Sequence, residues 1–470
     1  MLDRLSPGSV VDGFRVGERI HSGAMGHILS VTREGESQPL LMKVPRIGPG
    51  ESAEGLISFE TEAMILPALS GPHVPRCYGC GDITTLPYLV IEHLPGESLA
   101  KALEAGIMPP ERAAAAGAAI ADALQSVHEQ HAIHLDLKPD NVILRPDGTA
   151  ALIDFGLAHH ERFPDLLAEE MRYASGSAPY VSPEQILLTR SDPRSDIFAL
   201  GVVLYEMVTG ELPFGIPATL AGMRDRLWKD PAPPSAYCKD MPPWLQEVIL
   251  RCIEPRAQDR YQSAAHVAFD LRQPDQVRLT ERATKARQDG VLRQVGRWWG
   301  ARGAVELAPP ESKSMPPAAP VIMVAVDTMH PDDARQPEIK RVTAQVLSLS
   351  KEFRLICVSV IRAGPLVESP GKDGNASSIH LEHMIRLRHW AESLGLPPRR
   401  LSLHVLESAS SADTLLGFAR SNHVNLIILG APGPDQHTLA WWRSVASSVT
   451  ANAHCSVHLV RVPERGAAAG

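Results

Sequence analysis

The sequence predicts two folded parts of different class: an α+β part, then an α/β open parallel sheet. Three observations carry this. Residues 11–94 read mostly as short strands, and residues 98–273 as long helical patterns. Residues 321–462 alternate apolar strands with helical segments. The chain has 470 residues, which at roughly 100–200 residues per domain suggests two or three domains.

The first strands are "FRVGERI", "HILSV", "LLMKV", "RCYGC" and "YLVIEHL", interrupted by one helical segment, "SFETEAMILPAL". In "PERAAAAGAAIADALQSVHEQ" a proline start, strong helix formers and apolar spacings of three and four mark a helix. "SDIFALGVVLYEMVTG" is apolar all round, so it reads as a buried helix closed by Gly210. From Asp275 the chain turns basic. "VRLTERATKARQDGVLRQVGRWWG" predicts an amphipathic helix over 276–300, with Gly290 and Gly296 weakening it. It reads as docked on a neighbouring domain. The alternative is a membrane-surface helix, because Arg278, Arg282, Lys285, Arg287, Arg293 and Arg297 accompany tryptophans. "PPESKSMPPAAP" at 309–320 then reads as a linker. The strands "VIMVAVD", "RLICVSVI", "LSLHVLES", "VNLIILG" and "SVHLVRV" follow, apolar enough for a parallel sheet covered on both faces.

Composition excludes little. Hydrophobic residues make up 44% and charged residues 21%, and the net charge is −8. There is no electrostatic case for nucleic acid. Six cysteines make no disulfide framework, and Cys77-Tyr78-Gly79-Cys80 lacks the second ligand pair that a zinc site needs. His380, His383 and His389 read as a solvated helix face rather than a metal site. The first residues hold no apolar signal region, and no apolar run reaches membrane-spanning length. The expected location is the cytoplasm.

The chemistry lies in the first two regions. "ERIHSGAMGHILSV" reads as strand, turn and strand, and small residues at such a tip let backbone N–H groups approach phosphates. Lys43 on a strand needs an anionic partner, which Glu62 on the following helix can supply. "HLDLKPDNVIL" gathers Asp136, Lys138 and Asn141 on one loop, and "LIDFGLA" puts Asp154 at a strand end. An acid and an amide on adjacent loops are hard oxygen ligands suited to Mg²⁺. A second acid nearby can take a hydroxyl proton.

These segments, with "GSAPYVSPE" and "RSDIFALGVVLYEMVTGELPF", resemble a bacterial, eukaryotic-type serine/threonine protein kinase over residues 11–273, with lobes at 11–94 and 95–273. The resemblance implies ATP and Mg²⁺ as cofactors and a protein as substrate. It implies that Gly23 and Gly26 cover the phosphates, with Ile20 and Ile28 against the adenine. It gives Glu92 and Leu94 as hinge contacts behind gatekeeper Ile91. It assigns Lys43 to the α- and β-phosphates, paired with Glu62, and makes Asp136 the base. Lys138 would contact the γ-phosphate; Asn141 and Asp154 would hold the metal. Glu184 and Arg260 would anchor the activation segment, residues 154–184, whose hydroxyl residues include Tyr173, Ser175 and Ser177. The Ser177 hydroxyl would bond Asp136 and Lys138. Asp196 would brace the catalytic loop.

The chain departs from the family at His21, where the loop's first glycine belongs, and at Leu41, where an alanine belongs. Ser182 replaces the alanine before Pro183 and Glu184. Leu135 replaces the arginine that pairs with a phosphate on the activation segment. Asp136 is untouched, so activity is expected not to require phosphorylation of that segment.

Residues 321–463 resemble the universal stress protein family, whose fold is flavodoxin-like. Asp327, Gly430, Gly433 and Ser444 match its nucleotide-binding pattern, with Arg443 in place of its last glycine. The whole then reads as a Ser/Thr kinase tethered, across 274–320, to a regulatory or nucleotide-sensing domain in stress signalling. Phosphorylation within the chain and a homodimer through the second domain are further expectations. The alternative is a pseudokinase acting as a nucleotide-binding scaffold; a small-molecule kinase is the third class.

Overall fold

A computed structural model describes residues 5–23, 26–46, 53–81, 86–170, 176–287, 320–333, 335–349, 352–361, 376–397, 400–408, 410–431 and 445–461. The Pro-rich stretch, Tyr173, Ser175, Gly433, Arg443 and Ser444 lie outside these residues. The chain forms two compact units.

In the first unit, β1 (Val10–Val11), β2 (Phe14–Gly23), β3 (Gly26–Arg33) and β4 (Leu40–Pro45) precede α1 (Ala53–Ile65). β5 (Cys77–Cys80) and β6 (Leu89–Glu92) complete a sheet of order β1-β2-β3-β4-β6-β5. After β7 (Glu97–Ser98) and α2 (Leu99–Glu104) comes α3 (Pro110–Glu129). Pro110 sits at its first turn, where no N–H is missed. Small hairpins follow: β8 (Ala132–Ile133), β9 (Val142–Leu144), β10 (Ala150–Leu152) and β11 (His159–His160). They display the catalytic loop and the start of the activation segment.

Then come α4 (Leu166–Glu170), α5 (Pro183–Ile186) and α6 (Arg194–Thr209). The last is buried almost all round and stops at Gly210, whose φ of 72° suits glycine. Gly117 of α3 faces α6 so closely that a Cβ would lie 2.4 Å from Leu204 Cδ2, so the two helices meet where the side chain is missing. The unit continues with α7 (Leu220–Met223), α8 (Pro243–Cys252) and α9 (Ala264–Arg272). One core joins α3, α6, α8 and α9 to Leu89 and Ile91 of the sheet.

The basic segment corrects an expectation. Residues 277–287 are not helical. They form a strap along α8, with Val277 and Ala283 buried. The Gln246 amide donates to the carbonyls of Arg282, Ala283 and Lys285 at 2.8, 3.3 and 3.0 Å. Arg282 pairs with Glu247 and Glu254 at 3.0 and 2.8 Å, and Lys285 with Asp230 at 2.6 Å. The strap's backbone closes only isolated turns, Ala283 N–H to the Thr280 carbonyl at 3.1 Å and Lys285 N–H to the Arg282 carbonyl at 3.3 Å, so tertiary contacts override the amphipathic pattern. Two of the cations assigned to a membrane face are therefore taken up by the protein itself; residues 288–300 lie outside the described set.

The second unit runs β12 (Val321–Ala325), α10 (Arg335–Ser348), β13 (Arg354–Ile361), α11 (Ala376–Glu392), β14 (Leu401–Glu407), α12 (Ser411–Ser421), β15 (Leu426–Gly430), α13 (Val445–Asn452) and β16 (Ser456–Val460). All five strands are parallel, in the order β14-β13-β12-β15-β16. Side chains alternate between two cores, as a strand's period of two requires. Ile322, Val324, Leu355 and Cys357 pack with residues of α10 and α11. Met323, Ile356 and Val358 pack with residues of α12 and α13. His383 of α11 is buried, and its Nδ1 lies 2.8 Å from the Thr328 hydroxyl. It is a core hydrogen-bonding group and not part of a solvated face, because α11 turns that position to the sheet. Among the described residues, no helix is long and apolar enough to cross a membrane.

Candidate active site

The site is built from strand ends and loops of the first unit. Lys43 on β4 donates to Glu62 of α1 at 2.6 Å and lies 3.8 Å from Asp154. Glu62 also accepts from the Phe155 N–H at 3.4 Å, which ties α1 to the residue after Asp154. Burial works against the Lys43 charge, but Glu62 and Asp154 more than offset it, so the ammonium titrates above its ordinary value. Burial pushes the Glu62 carboxyl up while Lys43 pulls it back. For Asp154 burial is overcome, first by Lys43, and the carboxyl sits below its ordinary value.

Asp136 is buried and held from three sides. Its Oδ1 accepts the Ser177 N–H at 2.9 Å. Its Oδ2 accepts the Asn141 amide at 3.1 Å and lies 3.2 Å from Lys138 Nζ. A carboxylate has about four lone-pair sites, three of which are met, so Oδ1 keeps capacity for one further proton donor. The Asn141 amide nitrogen also reaches the Asp136 carbonyl at 2.9 Å, which directs its own oxygen away from Asp136. Lys138 donates to the Ser177 hydroxyl at 3.0 Å. Only half of the expected Ser177 contact therefore runs through the hydroxyl; Asp136 is met by the backbone N–H.

Below the loop, Asp196 of α6 accepts the N–H groups of His134 and Leu135 at 2.9 and 2.8 Å and the His128 ring at 2.8 Å. Burial raises the cost of its charge, but these donors, His128 foremost, hold the carboxyl below its usual value. Leu135 and Asp154 both take left-handed backbone, with φ of 60° and 66°. For non-glycine residues that conformation persists only where surroundings enforce it, here at the two chain reversals that present Asp136 and Asp154. Glu184 and Arg260 form a two-pronged pair at 2.9 and 3.0 Å, with the guanidinium also on the Glu254, Arg194 and Pro255 carbonyls.

The nucleotide-side expectations are placed as follows. Gly23 and Gly26 pair across the β2–β3 tip. The His21 ring lies against Gly23, its Nε2 2.9 Å from where a Cβ would stand. Ile20 is exposed, Ile28 half-buried and Leu94 buried. The Glu92 N–H already donates to the Arg76 carbonyl at 2.9 Å, so that N–H is engaged within the sheet.

Sequence reasoning missed several groups. Gln185 caps α5 with its amide oxygen, which accepts the Ser182 N–H at 3.0 Å, and its amide nitrogen donates to the Leu135 carbonyl at 2.8 Å. The S-x-x-Q spacing signals the cap, but nothing local signals the second bond. Arg226 is fully buried and donates to the Ala178 and Pro179 carbonyls at 2.8 and 3.2 Å. Burial pushes its guanidinium down to about 10.

In the second unit, Asp327 and Gly430 line one cavity of about 540 Å³ with His330, Arg335 and Val445. They follow β12 and end β15, the neighbouring strands where the chain's progress across the sheet reverses. Ligands of open α/β sheets collect at that point.

Comparison with known proteins follows the same division. Residues 14–270, more than half of the chain, match the family described as protein kinase domain, and residues 320–461 match the universal stress protein family. A probable serine/threonine-protein kinase of Corynebacterium efficiens is 31% identical over 271 residues, covering 56% of this chain and 41% of that protein. Serine/threonine-protein kinase PknB of Mycobacterium tuberculosis is 30% identical over 271 residues, covering 57% and 43%. The chain thus spans less than half the length of these relatives. The solved kinase domain of Mycobacterium tuberculosis PknI aligns over 57% of this chain and 99% of its own, at 22% identity and a TM-score of 0.46, too low a likeness to argue from.

Proposed function

The chain belongs to the protein kinase family, and from that premise we propose that its first unit transfers the γ-phosphoryl group of Mg·ATP to a serine or threonine hydroxyl of a protein. One observation carries the reading: the Asp136 carboxylate is held from three sides by Ser177, Asn141 and Lys138 and keeps room for one more proton donor. It takes the hydroxyl proton as the acceptor oxygen attacks. Lys138 sets positive charge beside that carboxylate, where charge moves in the transition state. Lys43, kept charged by Glu62 and Asp154, holds the α- and β-phosphates. Ile20, Ile28 and Leu94 enclose the adenine, and Gly23 and Gly26 lie over the phosphates.

The donor set fits magnesium. Asp154 offers a carboxylate that stays ionised, and Asn141 has its amide nitrogen engaged, so that its oxygen is available to a hard cation. Bound there, the ion neutralises charge on the transferring group.

The second unit serves as a regulatory or nucleotide-sensing partner in stress signalling, with Asp327 and Gly430 as described members of its site and Gly433 and Ser444 as the others. The tether favours phosphorylation within the chain, and the parallel-sheet unit is the expected homodimer contact. The expected setting is the cytoplasm. Incubation with Mg·ATP and a generic basic protein, followed by intact-mass measurement, tests the reading against Asp136→Asn. Phosphate on wild type but not on the variant supports it; equal mass in both overturns it.

A further inference from the structure

The Leu135 side chain cannot receive a phosphate, yet the activation segment on both sides of residues 171–175 is held firmly. On its far side the grip comes from Arg226, Gln185 and Ser177. On its near side the β8–β11 pairing holds His159 and His160, and beyond it one guanidinium grips the segment. Arg190 Nε donates to both oxygens of Asp165 at 3.1 and 2.9 Å, and its Nη2 to the carbonyls of Leu157 and Ala158 at 2.9 and 3.5 Å. The pair is shielded, with side-chain exposures of 10% and 16%. Asp165 also meets the His159 ring at 3.1 Å and accepts the Ala168 N–H at 3.0 Å, which starts α4.

Arg190 is itself rooted. The preceding Thr189 N–H donates to the Glu184 carbonyl at 2.8 Å, and the Glu184 carboxylate is the one locked to Arg260. A path of bonded groups therefore runs from the base of the large lobe, through Arg190, to Asp165, which lies within the activation segment. A guanidinium meeting an anion on that segment, here through one N–H shared by both carboxylate oxygens, is the chemistry by which a phosphate orders such a segment.

We propose that Asp165 is a built-in counterpart of an activating phosphate and Arg190 its receptor, so that these two positioning residues keep the activation segment ordered without covalent modification. The proposal rests on the kinase reading for its effect on activity, but not for its effect on order.

The test uses the full chain stripped of phosphate by a phosphatase, with Asp165→Asn, Arg190→Gln, Arg190→Asp, the swap Asp165→Arg with Arg190→Asp, and Asp136→Asn as the inactive control. Turnover on a basic protein and amide hydrogen exchange of residues 157–170 are both read. Stripped wild type is expected to keep its activity. The single changes should lower kcat roughly 10–100-fold through misplacement of the segment, leave KM for ATP nearly unmoved, and speed exchange. The swap should recover part of both, because it restores the ion pair but not the bonds to Ala168, Leu157 and Ala158. Inactivity of stripped wild type that rephosphorylation restores overturns the proposal. So does wild-type behaviour of Asp165→Asn in both readouts, or a swap no better than Arg190→Asp alone. If a single change does not fold, recovery of folding by the swap supports the pairing and its failure overturns it. If wild type and Asp136→Asn are equally inactive, the kinase reading fails and exchange alone decides the pairing.

Discussion

The two candidate sites differ in how they are tied together. In the kinase cleft, beside the local bonds of Asp136 to Asn141 and Lys138, several bonds join residues far apart in sequence. Lys43 meets Glu62 across 19 positions, Ser177 meets Asp136 across 41, and Phe155 meets Glu62 across 93. In the cavity of the second unit the described side-chain bonds of Asp327 and Arg335 are local. Asp327 accepts the N–H groups of Met329 and His330 at 2.9 and 3.2 Å and lies 3.0 Å from the His330 ring, and Arg335 donates to Asp333 two residues away. Long-range ties make a site depend on the whole fold and keep it in place before a ligand arrives. Local ties make it depend on a turn. The first site should therefore respond to single changes with large losses, and the second with small ones.

The largest effect is expected from Asp136→Asn. It removes the proton acceptor and should lower kcat by roughly 10²–10⁴-fold while ATP binding persists, as read by steady-state turnover and nucleotide titration. Next is Arg260→Met. It leaves Glu184 and three carbonyls without their partner at a buried position, and breaking such a pair costs about 3–5 kcal/mol. The urea midpoint of the kinase unit should fall accordingly. A midpoint within error of wild type would remove the pair from the list of long-range ties.

A third test uses acid. Asp154 and Asp196 both titrate below an ordinary carboxylate, each against the opposing effect of burial, through Lys43 and His128 respectively. A lowered native value means stability that is fully present above the unfolded value, near ~3.9, and is lost as pH falls through the native values. The urea midpoint should drop as pH is lowered below about 5, and Asp196→Asn should flatten that slope while lowering stability at neutral pH. An unchanged slope would contradict the assignment. The smallest effect is expected from Asp327→Ala, which removes only turn bonds and should cost about 1 kcal/mol or less. In a Lys43→Met background, residual binding of a fluorescent ATP analogue should weaken with it. Binding that does not change would take Asp327 out of that site.

Much of this was legible in the sequence because the chemistry is carried by residue types at fixed local spacings. The loop from His134 to Asn141 and the stretch Asp154–Gly156 each bring their polar groups within a few residues. The glycine at 210 and the apolar run before it announce a buried helix and its end. The strap over residues 277–287 was not legible. Its basic, periodic pattern fits a helix, and only the buried amide of Gln246 and the acids Glu247, Glu254 and Asp230 decide otherwise. His383 was misplaced for the same reason: a histidine among charged residues looks solvated until Thr328, just past β12, is found beside it.

The sequence by itself determined the two fold classes, the order of their elements and the identity of the acids, amide and lysines that face each other in the cleft. Local periodicity and short motifs carry that information because they act within a few residues. Only the tertiary structure decided which distant groups hold them. Gln185 on the Leu135 carbonyl, Arg226 under the Ala178–Pro179 carbonyls and Arg190 on Asp165 are contacts between segments whose spacing in the chain has no regularity to read. Burial makes them matter: away from water, a guanidinium or carbonyl must find a partner inside the protein, and where it finds one depends on how the whole chain packs.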